Sequence, residues 1–322
     1  MTDEQRMLAD MAGGLFASLG SGADIDSDWP KVEEVALTGL LLPEDAGGFG
    51  GSWEDALIVF RLAGYHALAL PVVESIVAAR IARRLEGRGT IASRSEGTLD
   101  SGIFTGTVHG ACHATGADYI VAPGPDGGSM VIDADHASIE PHESVAGEAR
   151  ERLVCDGVKV ETTPDDLFAL GALARVAQIA GALDAALEKS VDYANERTQF
   201  GRTLAKFQAV QQNLATFACE AASANCAAMG AAQAVARGSA PFEIAAAKLR
   251  ANRAVGVGTA LAHQVHGAIG FTEEYMLHPL TRRLWAWRSE FGNDAHWSAR
   301  LAKSIVDRGA DKFWADLTTL NK

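Results

Sequence analysis

Cysteine is scarce in this chain, and its four copies, Cys112, Cys155, Cys219 and Cys226, show no Cys-x-x-Cys spacing. That leaves neither a disulfide framework nor a thiolate cluster for structural zinc, and the four read as small buried hydrophobes in a reducing compartment. Long apolar runs are missing as well, and no uninterrupted stretch is long enough to span a bilayer. Lys and Arg never gather into a basic run, and 28 of them face 41 Asp and Glu, for a formal charge of −13. A nucleic-acid backbone would repel such a surface. The opening residues Met1-Thr2-Asp3-Glu4-Gln5 are acidic where a secretion signal would be basic and then apolar, so the cytoplasm is the expected location. His109 with His113, and His263 with His266, lack the carboxylates or thiolates that would complete a metal site, so no metal is expected.

The composition present is that of a globular protein, 48% hydrophobic and 21% charged, and the length calls for two or three domains. The expected fold is mainly α with a small β domain. Residues 1–96 read as an N-terminal helical domain, with apolar residues recurring every three or four positions through Leu8, Met11 and Leu15, and again from Ala56 to Leu70. A glycine-rich break, Leu41 to Ser52, interrupts it, and Ser52 or Asp55 can cap the next helix. Residues 97–162 turn to short β-prone runs, among them Ile103-Phe104-Thr105, Tyr119-Ile120-Val121 and Met130-Val131-Ile132, separated by turns such as Pro123 to Gly128. Residues 163–322 read as a C-terminal four-helix bundle. Thr163-Pro164-Asp165-Asp166 supplies a start signal for a first helix running to Tyr193. A second is expected over Leu204 to Ala236, a third over Phe242 to His266 after the Gly238-Ser239-Ala240-Pro241 break, and a last from Ala295 to about Ala310.

Two segments carry chemistry. One is Arg197-Thr198-Gln199-Phe200-Gly201, followed by Phe207-Gln208; the other is Gln264-Val265-His266-Gly267-Ala268-Ile269-Gly270. A guanidinium presents a fixed fork of donors to phosphate oxygens, and a glycine turn lets backbone N–H groups approach an anion. Taken alone, the first is also compatible with an ordinary helix end having Gly201 in the left-handed cap position. Together and in this order they resemble the acyl-CoA dehydrogenase family. The resemblance implies that Arg197, Gln199, Phe200, Gln208, Gln264, Gly267 and Gly270 grip the pyrophosphate and adenosine end of an FAD belonging to the neighbouring subunit. Ala268 stands where a second glycine is usual.

Other family features are absent. No Thr-Glu-Pro-x-x-Gly-Ser-Asp type segment is present to cradle a flavin ring, and Arg94 to Ser101 reads as a direct connection from the first domain to the later strands. The glutamate that in the commonest layout precedes Gly292 is replaced by Phe291, leaving Glu290, one residue earlier, as this chain's own candidate catalytic base. The family's other base neighbourhood, Leu170 to Arg175, holds no carboxylate. The chain therefore resembles the smaller, degenerate subunit of a heteromeric α2β2 acyl-CoA dehydrogenase of steroid side-chain breakdown. That resemblance implies a larger dehydrogenase-like partner that supplies the base, an acyl-CoA substrate and an electron-transfer flavoprotein as acceptor. Two rivals stand beside it: a self-sufficient homo-oligomer using Glu290, and a flavin-free assembly module with the same fold.

Overall fold

The computed structural model describes residues 1–238 and 240–319; Ser239 of the expected interhelical break and the last three residues lie outside them. Four helices open the chain: α1 (Asp3–Leu19), α2 (Ile25–Glu34), α3 (Trp53–Tyr65) and α4 (Val72–Ala82). The start of α3 is fixed by both candidates at once. Ser52 is the N-cap, accepting from the Asp55 N–H at 3.2 Å, while the Asp55 carboxylate accepts from the Ser52 N–H at 2.8 Å. Such a reciprocal box satisfies two otherwise unpaired donors.

The strands are β1 (Gly89–Ile91), β2 (Arg94–Asp100), β3 (Ile103–Cys112), β4 (Tyr119–Pro123), β5 (Ser129–Asp133), β6 (Ser138–Glu140), β7 (Arg150–Lys159) and β8 (Glu161–Thr163). They form two four-stranded sheets, ordered β1-β4-β5-β8 and β2-β3-β7-β6. Only the β1/β4 pairing is parallel. Phe104, Val108, Ile120, Met130, Ile132 and Leu153 are among the buried side chains of the core between the sheets. Two readings change here. Residues 94–101 are not a connector, because β2 pairs with β3 along its whole length from Arg94↔His109 to Asp100↔Ile103. Thr163 does not open a helix, because it pairs with Ser129 as the end of β8, and Asp166 is the cap instead, accepting from the Ala169 N–H at 3.0 Å.

The C-terminal part holds α5 (Leu167–Glu196), a short hairpin of β9 (Thr198–Gln199) and β10 (Arg202–Thr203), then α6 (Gln208–Arg237), α7 (Pro241–His266), α8 (Leu277–Ser289), α9 (Asp294–Arg308) and α10 (Phe313–Thr319). Helix α8 was not anticipated, and Leu204 to Lys206 is a single 3-10 turn rather than the first turn of α6. α5 is long and apolar enough by composition to cross a bilayer, yet 83% of its most apolar window is buried by the rest of the chain, so it is the core helix of the bundle. α3 crosses α5 at glycines. A Cβ on Gly181 would sit 1.9 Å from the Arg61 carbonyl oxygen, and one on Gly64 would sit 2.0 Å from that of Gln178. Two helix backbones approach that closely only where no side chain intervenes. Of the cysteines, Cys112 and Cys155 are buried as expected, whereas Cys219 and Cys226 are exposed on α6.

Candidate functional site

The two phosphate-type segments end up at one end of the bundle. α5 stops at Glu196, and Arg197 is its C-cap, donating its backbone N–H to the Tyr193 carbonyl at 2.9 Å. The chain then folds into a two-residue hairpin whose turn is Phe200-Gly201, both with positive φ of 52° and 78°. A pair of left-handed residues is what a tight hairpin turn demands, and glycine suits it while phenylalanine does not. Gly201 is thus a turn residue and not the helix cap. The Phe200 ring is 91% exposed. The hairpin is braced by the Leu204 N–H on the Arg197 carbonyl at 2.8 Å and by the Arg202 guanidinium 4.0 Å from the centre of the Phe207 ring.

Gln264 lies exposed near the end of α7. Gly267 is the C-cap, with φ of 65° and nothing within 4 Å of where a Cβ would be. Gly270 is buried, and a Cβ there would come to 2.9 Å from the His266 Cβ, so it is needed for the turn itself. Tyr193 stacks on His266 at 4.7 Å, and Tyr275 is tilted against the same imidazole at 5.1 Å. These contacts tie the end of α5 to the end of α7. Arg197, Gln199, Phe200, Gln208 and Gln264 are all exposed, so their donors are available to a molecule outside the chain.

Glu290 lies elsewhere, in the wall of the cleft beside α8, with its side chain 14% exposed. Its Oε1 accepts from Arg150 Nε at 2.9 Å and its Oε2 from Arg175 Nε at 2.7 Å. The pairing continues in both directions. Arg175 also holds Glu74 at 2.7 Å, and Arg150 holds Glu148 at 3.0 Å, which Arg283 approaches at 2.7 Å. The result is an alternating file, Glu74, Arg175, Glu290, Arg150, Glu148, Arg283, drawn from α4, α5, the turn after α8, β7 and its preceding loop, and α8. Burial alone would raise the Glu290 carboxyl, but the two guanidiniums outweigh it and hold it down to about 2. A group so strongly held in its ionised form is a poor proton acceptor near neutral pH. In this structure Glu290 is thus an ion-paired carboxylate, held between Arg150 and Arg175.

The neighbouring Phe291 closes the same region. It is 3% exposed, adopts φ of 51°, and presses its ring so closely on Gly171 that a Cβ there would lie 2.4 Å from it. Gly292 follows with φ of 97°, and the Trp297 indole donates to the Phe291 carbonyl at 2.9 Å. Beneath this turn Lys248, fully buried, donates to Asn252 Oδ1 and the Trp287 carbonyl, both at 2.8 Å. Both positions at which a base was sought are thus occupied, one by an aromatic ring and the other by helix α5 carrying Arg175. Arg150, Arg175, Glu74 and Glu148 were missed in the sequence; only the rarity of fully buried charged residues could have hinted at them, and burial is not written in a motif.

Residues 163–305 match the family described as acyl-CoA dehydrogenase, C-terminal domain. The chain belongs to the acyl-CoA dehydrogenase family. It is 30% identical to the acyl-CoA dehydrogenase FadE34 of Mycobacterium tuberculosis over 94% of its own length, and spans about half (48%) of that relative. With acyl-CoA dehydrogenase IpdE2 of the same organism it shares 26% identity over 97% of this chain and 98% of the other. Among solved structures the fold is similar to a chain of the Tcur3481-Tcur3483 steroid acyl-CoA dehydrogenase, with TM-score 0.87, 24% identity, and 96% and 99% coverage of the two chains. It is also similar to one in the ChsE4-ChsE5 complex from Mycobacterium tuberculosis, with TM-score 0.84, 20% identity, and coverage of 95% and 98%.

The residues present fit half of the flavin nucleotide that this family uses. The exposed Arg197 fork and the open Gly267 turn suit the phosphate end. The cleft between the β2-β3-β7-β6 sheet and α8, where a ring would need a cradle on this chain, is lined instead by Arg94, His109, His142, Arg152 and Trp285, together with the Arg150–Glu290 ion pair. Gly110, in the same wall, offers no side chain to pack on a ring.

Proposed function

We propose that this chain is the smaller subunit of a heteromeric FAD-dependent acyl-CoA dehydrogenase, and that it clamps the nucleotide end of a flavin seated mainly on a larger partner. The observation that carries this reading is the contrast between the two ends of α5. The gripping residues remain exposed and intact, while the region of the base is filled by Phe291 and an ion-paired Glu290. FAD, when bound, supplies the hydride acceptor for α,β-dehydrogenation of an acyl-CoA thioester. In this chain Arg197 donates to phosphate oxygens, the N–H groups of the Gly267 turn approach the same anion, and the amides of Gln199, Gln208 and Gln264 hold the remainder of the nucleotide. Phe200, on the hairpin tip, shields those contacts from water. A glutamate of the partner would remove the α-proton, and an electron-transfer flavoprotein would be the acceptor. The described steroid enzyme among the structural neighbours favours a steroid side-chain CoA as substrate.

Coexpression with the larger dehydrogenase-like chain tests the proposal. The isolated chain is expected to be colourless and inactive, and the complex yellow. Arg197→Ala removes charge-assisted hydrogen bonds of about 1.5–3 kcal/mol, so flavin binding should weaken roughly 10- to 100-fold, read by absorbance per complex after dialysis. Unchanged flavin content would overturn the assignment.

A further inference from the structure

One cavity lies apart from the two exposed segments, from the cleft beside α8 and from the file of paired charges. It encloses about 410 Å³ between the start of α7, the second half of α9 and α10, within the range of about 300–1,000 Å³ usual for small-molecule sites. Residue spacing builds its walls. Leu301 and Ile305 lie four apart on α9 and share one face of that helix, as Phe313 and Leu317 do on α10. Between the helices Gly309 adopts φ of 90°, with nothing within 4 Å of where a Cβ would be. That turn folds α10 back, so that both apolar faces and the Phe242 ring at the start of α7 border the same space. The chain does not fill it: Phe313 and Leu317 both stay more than a third exposed.

The polar part of the lining is one-sided. It holds two guanidiniums, Arg300 and Arg308, and, among the described residues, no carboxylate, although the chain carries a formal charge of −13. Arg308 is engaged within the chain. Arg300 is held loosely. Asp166 stands 3.8 Å from it, beyond hydrogen-bonding length, with the two side chains 40% and 55% exposed, and a pair so long and so open contributes little. Asp166 is moreover committed to capping α5. The Arg300 guanidinium lies over the Trp297 ring, 5.3 Å from its centre, and Ser304 spends its hydroxyl proton on the Leu301 carbonyl at 2.8 Å. We propose that this cavity binds an apolar monocarboxylate, with its hydrocarbon body among Phe242, Leu301, Ile305, Phe313 and Leu317 and its carboxylate on Arg300. One guanidinium fork matches one carboxylate, and walls without donors or acceptors reject a polar body. An occupied cavity holds α10 against α7 and α9, so ligand binding and protection of the α9–α10 connection are one event. The site does not rest on the flavin reading and can fail without it.

Isothermal titration of the full chain with decanoate, decanol and acetate tests this. Decanoate is expected to bind, with decanol, which has the body without the charge, and acetate, which has the charge without the body, each at least tenfold weaker. Arg300→Gln should weaken decanoate at least tenfold and bring it level with decanol, with an unchanged thermal midpoint showing that the variant is folded. Should that midpoint fall, Phe313→Ala decides instead, since it trims a wall on the last helix and should weaken decanoate and decanol alike. Saturating decanoate should also slow tryptic cleavage after Arg308 and Lys312. No decanoate binding, decanol binding as tightly as decanoate, wild-type decanoate affinity in the folded variants, or cleavage indifferent to decanoate would each overturn the proposal.

Discussion

Replacing Glu290 with Gln removes one charge from the middle of the buried file and leaves Arg150 and Arg175 facing each other across a neutral amide. Glu74 and Glu148 still hold the outer sides of those two guanidiniums, so the file is weakened at its centre and not abolished. Two routes give the magnitude. Breaking a buried ion pair by deleting one partner costs about 3–5 kcal/mol. Lowering a carboxyl from 4.5 to about 2 on folding corresponds to about 3 kcal/mol of stability at neutral pH. Because the folded-state value is the depressed one, this contribution is complete above about pH 4.5 and is lost as pH falls toward 2. The difference between wild type and Glu290→Gln should therefore be about 3 kcal/mol at pH 7 and shrink below pH 4.5, measured by urea unfolding across that range. In the assembled enzyme the same variant should keep turnover per folded complex. A stability change under about 1 kcal/mol together with complete loss of turnover would refute the structural role and restore Glu290 as the base.

Gly181→Ala drives a methyl group into the Arg61 carbonyl, and despite the better helix propensity of alanine it should cost about 2 kcal/mol or more; a urea midpoint at or above wild type would show that α3 and α5 can separate freely. Phe200→Asn places a residue tolerant of positive φ at the hairpin tip, so the isolated chain should keep or gain up to about 1 kcal/mol while the coexpressed complex loses flavin; equal flavin retention would remove Phe200 from the grip. Burial pushes the Lys248 ammonium down to about 7 from 10.5, so the unfolded chain binds more protons between those values and wild-type stability should rise with pH across that window. Lys248→Met should flatten this rise, and parallel pH profiles for the two proteins would contradict it.

The two segments proposed to grip a nucleotide could be picked out because each is local: a guanidinium, a glycine turn and their neighbours lie within a few residues, and their exposure follows from being helix ends. Glu290 was not, since its partners Arg150 and Arg175 are 140 and 115 residues away in sequence, and no spacing rule connects residues at that distance. β2 was passed over because its residues, Arg-Ser-Glu-Gly-Thr-Leu-Asp, are mostly solvent-exposed and carry almost no apolar alternation; the ladder to β3 makes the strand, not its own propensity. α8 hid for a related reason. It contains Pro279 in its first turn and three arginines, and it becomes a helix by burying Leu277, Leu280, Leu284 and Trp287 against its neighbours. The start of α5 was misplaced because Thr163 is a good cap in isolation and a strand end in the sheet.

Arg175 and Arg197 sit on the same helix, one within its body and one as its C-cap. They are 197 − 175 = 22 residues apart, about 33 Å at 1.5 Å per residue. About four Debye lengths in physiological salt fit in that interval. Mutations that silence the inner end therefore carry no electrostatic message to the outer one. A lineage can discard its own proton chemistry through that inner end and still be held to the shape of its outer end by whatever docks there.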